Sequence, residues 1–195
     1  MARQSAPLFN EEHIRQGGPS NATFQESYPR YLCSVANAIA ATGVAHATFV
    51  PVQPGDVISN VTFITAATAA VDPTAGFVAI YSSAGDLLGQ SANFTSTARA
   101  ANTAFTVALV EPITITGASS AASGVFVSIS FTAGTVPTLR GISTGDVVVA
   151  GTTGITSPST PRVLAQSHGS AVGGTAPATI ATPTTVATPC YFALT

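Results

Sequence analysis

The stretch GVFVSISF, Gly124 to Phe131, decides the fold. It places Val125, Val127, Ile129 and Phe131 at alternate positions, with Phe126, Ser128 and Ser130 between them. A period of two marks an extended chain with one face toward a core, whereas a helix would return its apolar residues every three or four. The same signal recurs on both sides of it. Thr103 to Val110 sets Phe105, Val107 and Leu109 on one face. Glu111-Pro112 is expected to end that strand, because proline has no N–H for the ladder, with Ile113 to Thr116 resuming it or forming an edge strand. Further upstream, Phe77 to Tyr81 reads as a short buried strand, Ser82 to Asp86 (SSAGD) as a hairpin turn, and Leu87 to Ser91 as the return strand. Asp56 to Thr65 alternates Val57, Val61 and Phe63 against Ile58, Asn60 and Thr62, and Gly43 to Val52 is apolar and rich in β-formers. Downstream, Val147 to Ala150, a short piece around Arg162 to Gln166, and Tyr191 to Leu194 complete a set of eight or nine strands. So many strands, with turn signals between them, predict an all-β chain: a single jelly-roll-like β-sandwich.

The N-terminal part differs. Residues 1–30 hold six of the fourteen formal charges, the Gly17-Gly18-Pro19 breaker and little apolar periodicity. They read as an extended arm, either a free tail or an anchor that orders on a partner. Phe9, Ile14, Phe24, Tyr28 and Tyr31 are the residues such an anchor would insert. Alanine-rich Tyr31 to Ala41, just after Pro29, predicts one short helix, so that the arm spans 1–42 and the sandwich 43–195. Residues 151–190 are rich in Gly, Thr, Ser and Pro and are expected to form long surface loops.

Composition narrows the function classes. Only 7% of the 195 residues are charged and none is lysine, while 46% are hydrophobic and mean hydropathy is +0.42. Ordinary soluble domains are about a quarter charged. Residues 112–139 and 163–195 carry no Asp, Glu, Lys or Arg at all, which suggests faces covered by neighbouring subunits. Six scattered arginines and a net charge of −2 do not provide the basic face that nucleic acid or an anionic membrane requires. The first residues, MARQSAPLFNEEHIR, lack the apolar centre of a signal peptide. Without an export signal, the Asn-x-Thr strings at Asn21, Asn60 and Asn93 carry little weight, and Cys33 and Cys190 are expected as reduced thiols, with a disulfide between them the alternative on later exposure to oxygen.

Motifs for chemistry are sparse. GISTG, Gly141 to Gly145, matches the G-x-S-x-G nucleophile pattern around Ser143, with Asp146 and His168 following in order. That motif needs a strand-to-helix elbow, and no helix signal follows Gly145. His13, His46 and His168 are far apart and no metal spacing accompanies them. His46, in a β pattern, is expected to be a hydrogen-bonded sheet residue. Asp56, Asp72 and Asp86 each adjoin Pro or Gly and read as turn residues. No catalytic, cofactor or metal residue is therefore expected.

The order GDVISNVTFIT, GFVAIYSSAGDLLGQSANFTS, AANTAFTVAL and GVFVSISFTAGTVPTLRG, across residues 55–141, resembles the β-sandwich domain of actinobacteriophage virion proteins, often labelled minor tail proteins. Ser82 stands where that pattern frequently has Asp, and the tryptophan frequent before the Ala-Asn-Thr segment is absent. The resemblance implies a non-enzymatic structural protein of the virion, assembled in the host cytoplasm, with no cofactor. Its partners would be the major capsid protein or tail proteins and further copies of itself, a trimer being one arrangement that buries the uncharged faces. A capsid decoration (cement) protein held by its arm is the first expectation. A minor tail or receptor-binding component is the second, and a carbohydrate-binding module the third.

Overall fold

The structure, a computed structural model, describes residues 24–38, 42–94, 98–116, 124–142, 165–186 and 188–195. Among these residues twelve strands run in chain order: β1 (Gln25–Glu26), β2 (Val35–Ala38), β3 (Ala45–Pro51), β4 (Val57–Ile64), β5 (Val71–Tyr81), β6 (Leu87–Gln90), β7 (Ala104–Thr114), β8 (Gly124–Thr135), β9 (Thr138–Gly141), β10 (Ala165–His168), β11 (Thr184–Thr185) and β12 (Phe192–Leu194). The only helical element among the described residues is a 3-10 turn at Arg30–Leu32.

Ten strands form two antiparallel sheets, ordered β1-β12-β4-β7 and β11-β10-β3-β8-β5-β6. Register and side-chain alternation decide what lies between them. On the large sheet Val50, Val125, Val127, Ile129, Phe131, Val78 and Ile80 face inward. On the small sheet Phe63, Val61, Ile58, Leu109, Ile113, Phe192 and Leu194 face them. Phe63 and Phe131 meet edge to face across the gap at 6.1 Å, and Phe94 leans on Phe131 at 5.5 Å. The sheets join along one side, where Ser91 bridges to Leu109. There Gly89 lets the Ile113 side chain pack close, since a Cβ would meet its Cδ1 at 2.8 Å and push it aside. The strands β2 and β9 form a separate two-stranded ribbon, tied to the sandwich by Thr65–Leu139 and Gly141–Cys190 bridges.

The all-β sandwich expectation holds, and three local expectations need correction. The helix over 31–41 gives way to the 3-10 turn and then strand β2, whose Val35–Ala38 pair with Gly141–Thr138. Alanine's helix preference is worth only tenths of a kcal/mol, and a waiting strand partner overrides it. The break at Glu111-Pro112 does not occur. Strand β7 runs through the proline because it is an edge strand and because the ladder slips opposite it, between Ile58 and Asn60. The arm boundary moves as well: Gln25–Glu26 and Val35–Ala38 are strands paired with the body. Within 151–190, β10 overlaps the short strand expected around Arg162 to Gln166, the two-residue β11 follows, and residues 169–182 are a mostly exposed surface segment laid as a strap across the outer face of the large sheet. The expected strand at Val147–Ala150 lies outside the described residues.

Candidate functional site

Two places hold the candidate residues. The first is a clasp between the N-terminal segment and the C-terminal strand. Strand β1 pairs with β12 through Gln25–Leu194 and Glu26–Ala193. The Tyr28 hydroxyl donates to the Pro189 carbonyl at 2.7 Å, and its ring meets Tyr191 edge-on at 6.2 Å. Arg30 lies over both the Phe24 and Tyr191 rings, 5.9 Å from each centroid. Its Nε reaches the Tyr191 hydroxyl at 3.2 Å, and its Nη2 reaches Glu26 Oε1 at 3.2 Å. The Tyr191 hydroxyl in turn donates to Glu26. Burial pushes the phenols of Tyr28 and Tyr191 well above their ordinary value, so both remain neutral donors. The Arg30–Glu26 pair is solvent-exposed on the arginine side and adds little by itself. The aromatic stacking and the strand pairing hold the segment.

Beyond the clasp the chain turns outward. Pro29 starts the 3-10 turn, closed by the Leu32 and Cys33 amides donating to the Pro29 and Arg30 carbonyls. The turn carries Tyr31, 85% exposed, and Leu32, 48% exposed. The anchor residues expected from the sequence thus divide. Phe24 and Tyr28 dock on their own chain, Tyr31 projects into solvent, and Phe9 and Ile14 lie outside the described residues. Leu32 was missed, although an apolar residue beside Tyr31 on a proline-initiated turn was visible in the sequence.

The second place is the strap. It is tied to the sheet by Val172 N–H to Gly43 O, Leu87 N–H to Ala178 O, Ile180 N–H to Gly85 O and Ala176 N–H to Gln90 Oε1. The Tyr81 hydroxyl adds a bond to the Pro177 carbonyl. Under it lie Ala45, Phe77, Ala79 and Tyr81, which with the strap's own Ala176 form a second apolar cluster. Where the strap returns toward β10 and β11 it leaves a pocket of about 240 Å³. Ser167, His168, Ser170, Thr179, Thr182 and Thr184 line it, with Pro177 and Ala181. His168 is 3% exposed, its Nε2 is 2.9 Å from Ser128 Oγ, and Tyr81 meets its ring edge-on at 5.3 Å. Burial lowers its pKa, and its Nδ1 makes no hydrogen bond.

Of the G-x-S-x-G string, Ser143 and Asp146 lie outside the described residues. His46 corrects another expectation. It is a buried sheet residue facing the core beside Ile129, but neither ring nitrogen makes a good hydrogen bond, and burial pushes its pKa down to about 4. Arg99 is also buried, held between the Phe94 and Phe105 rings at 5.0 Å from each, with Nε unpartnered. Cys33 and Cys190 are free thiols, as expected, and burial raises both, Cys33 to about 11. Among the described residues no group of three His, Cys, Asp or Glu side chains is placed to hold a metal ion, and no helix is long and apolar enough to cross a membrane.

Against known proteins, no family model matches the chain and no curated protein matches it.

Proposed function

We propose that the protein is a non-enzymatic structural component of a bacteriophage virion, a capsid decoration protein held to its neighbours through its N-terminal segment. The observation that carries this reading is the division of that segment. Residues 24–30 are clasped to the sandwich by strand pairing and the Tyr28–Pro189 bond, so the segment before them departs beside the clasp, and Tyr31 with Leu32 stands outward there. Exposed apolar residues on a short rigid turn make good contact anchors, because little freedom is lost on docking. The small sheet's outer face adds a charge-poor surface along β7, where Ala104, Thr106, Ala108 and Val110 are exposed and Thr62 and Thr106 share a hydroxyl contact at 2.8 Å, with Glu111 beside Val110 and the Glu26–Arg30 pair at the β1 edge as its charges. Such a face suits packing against the major capsid protein or against further copies of the chain, a trimer among the arrangements.

The clasp also dictates the test. Removing residues 1–23 spares β1 and Tyr28, whereas removing 1–30 would take away part of the fold. The 1–23 deletion and the pair Tyr31→Ser/Leu32→Ser are expected to leave the melting temperature within about 2 °C of the parent while virion incorporation is lost. Normal incorporation of both proteins would sink the anchoring role. Immunogold labelling is expected to mark heads evenly, and label confined to the tail would transfer the protein to the second reading, a minor tail or receptor-binding component. The strap pocket is the observation that favours that alternative, and the carbohydrate-binding reading with it.

A further inference from the structure

We infer that the pocket between β10, β11 and the returning strap binds one ring of a neutral carbohydrate. Its lining sets the chemistry. Ser167, Ser170, Thr179, Thr182 and Thr184 present hydroxyl groups, and among the described residues no charged side chain lines it. A hydroxyl both donates and accepts, so this array matches a ligand whose own groups do both, and it offers no counter-charge to a phosphate or carboxylate. Pro177 and Ala181 add apolar surface of the kind that receives the C–H face of a pyranose. Size agrees: about 240 Å³ lies below the roughly 300–1,000 Å³ of drug-sized sites and suits a single small ring.

Two further features shape the site. His168 is the most buried of the lining residues, and with Nε2 committed to Ser128 its Nδ1 is left unpaired. That nitrogen is enclosed and does not open onto the pocket, so His168, fixed by Ser128 and Tyr81, serves as the polar floor of the site. Thr182, on the rim, holds φ at +44°, a left-handed conformation that a β-branched residue avoids. Ala171 does the same at +53°, where the strap leaves Gly169 and Ser170. Strain of this kind persists where the surrounding bonds over-determine the loop, and here the strap's ties to Gly43, Gly85, Leu87 and Gln90 do so. The result is a preformed, rigid rim. The site serves a head protein or a tail protein equally, and many copies on one particle would convert weak single contacts into firm attachment.

The test is a titration of the full chain, ¹⁵N-labelled, with glucose, galactose, mannose and N-acetylglucosamine, and with inorganic phosphate as the charged control. At least one sugar is expected to give saturable shifts at the amides of Ser167, Gly169, Thr179 and Thr182, with a dissociation constant in about the millimolar range for a single ring. Phosphate is expected to give none. Ala181→Phe, at an exposed position, is expected to fill the pocket and abolish the shifts without changing the melting temperature. Thr184→Val, which keeps shape and strand preference but removes a hydroxyl, is expected to weaken binding several-fold. The proposal is overturned by the absence of saturable shifts for all four sugars, by shifts clustered elsewhere on the surface, by saturation with phosphate instead, or by unchanged affinity in both variants.

Discussion

The two faces of the six-stranded sheet are both buried, yet they are built differently. The inward face is a continuous layer of Val, Ile and Phe closed by a second sheet. The outward face mixes Ala45, Ala47, Phe77, Ala79 and Tyr81 with Ser128, Ser130 and His168, and it is closed by a strap instead of a sheet. A sheet lid brings its own hydrogen-bonded ladder and large side chains at every second position. A strap brings few side chains, so the surface beneath must be smaller and partly polar, and gaps such as the pocket at β10 remain. The inward face therefore supplies most of the stability, and the outward face supplies a place where something else can bind.

The widest separation between the faces should appear on truncating matched isoleucines. Ile129 is fully buried between the sheets, whereas Ile180 is partly buried under the strap. Ile129→Ala is expected to cost about 2–5 kcal/mol, through lost burial and a cavity that cannot collapse. Ile180→Ala is expected to cost about 1 kcal/mol, because only part of its surface leaves water on folding. For a chain of this size each kcal/mol moves the midpoint by roughly 2–4 °C, so thermal melts resolve the two. Equal losses would show that the strap is as much a part of the core as the second sheet.

Acid discriminates next. His46 on the inward side and His168 on the outward side are both buried and both have lowered pKa values, His46 to about 4. Above the unfolded value of about 6.5 the folded and unfolded states are both neutral, and neither histidine makes stability depend on pH. As pH falls from 6.5 toward 4 the unfolded chain takes up a proton that folded His46 refuses, so stability drops, by about 3 kcal/mol at most, and levels off below 4. Denaturant titrations at pH 7 and pH 4.5 check this. His46→Val, which suits both the strand and its apolar face, is expected to remove most of the difference. An unchanged pH dependence in that variant would assign the acid sensitivity to other groups.

The same contrast explains what was legible in the sequence. Alternation at Val125–Phe131, Thr103–Val110 and Asp56–Thr65 located β8, β7 and β4, because an inter-sheet face leaves a period-two trace. But the irregularity between Ile58 and Asn60 reverses the faces at the start of β4, so that Ile58 joins Val61 and Phe63 in the core and Val57 is exposed. Phe77–Tyr81 read as a buried run for the right reason: β5 is covered on both faces there, and so no alternation survives. What covers its outer face was not legible. A strap of Gly, Ala, Pro and Thr has the composition of a surface loop, and its cover over Tyr81 arises from backbone bonds to Gly43, Gly85 and Leu87 that no periodicity announces. The clasp was half legible. Aromatic residues marked the segment, but the sequence did not say that Tyr28 would meet Pro189 while Tyr31 faced water. The pocket was not legible, since its hydroxyl residues come from β10, the strap and β11, and their types are common throughout the chain.

The smallest expected effect is the most informative about why the strap is strained. A left-handed φ costs a β-branched residue about 1–2 kcal/mol, and Thr182 carries that cost on the pocket rim. Thr182→Gly removes the strain but adds freedom to the unfolded chain, worth roughly 0.5–1 kcal/mol in the opposite direction. The difference favours the variant slightly, by about 0.5 kcal/mol. Had the strain no purpose, glycine here would be a simple improvement, with nothing lost elsewhere. If the rim is held rigid to present hydroxyls, the same substitution should raise the denaturation midpoint a little while weakening sugar binding, because it deletes one hydroxyl and loosens the others. Measuring both quantities on one variant separates the cases: a gain in stability with undiminished binding would make Thr182 an accident of the strap's closure, and a gain accompanied by loss of binding would tie the strain to the pocket.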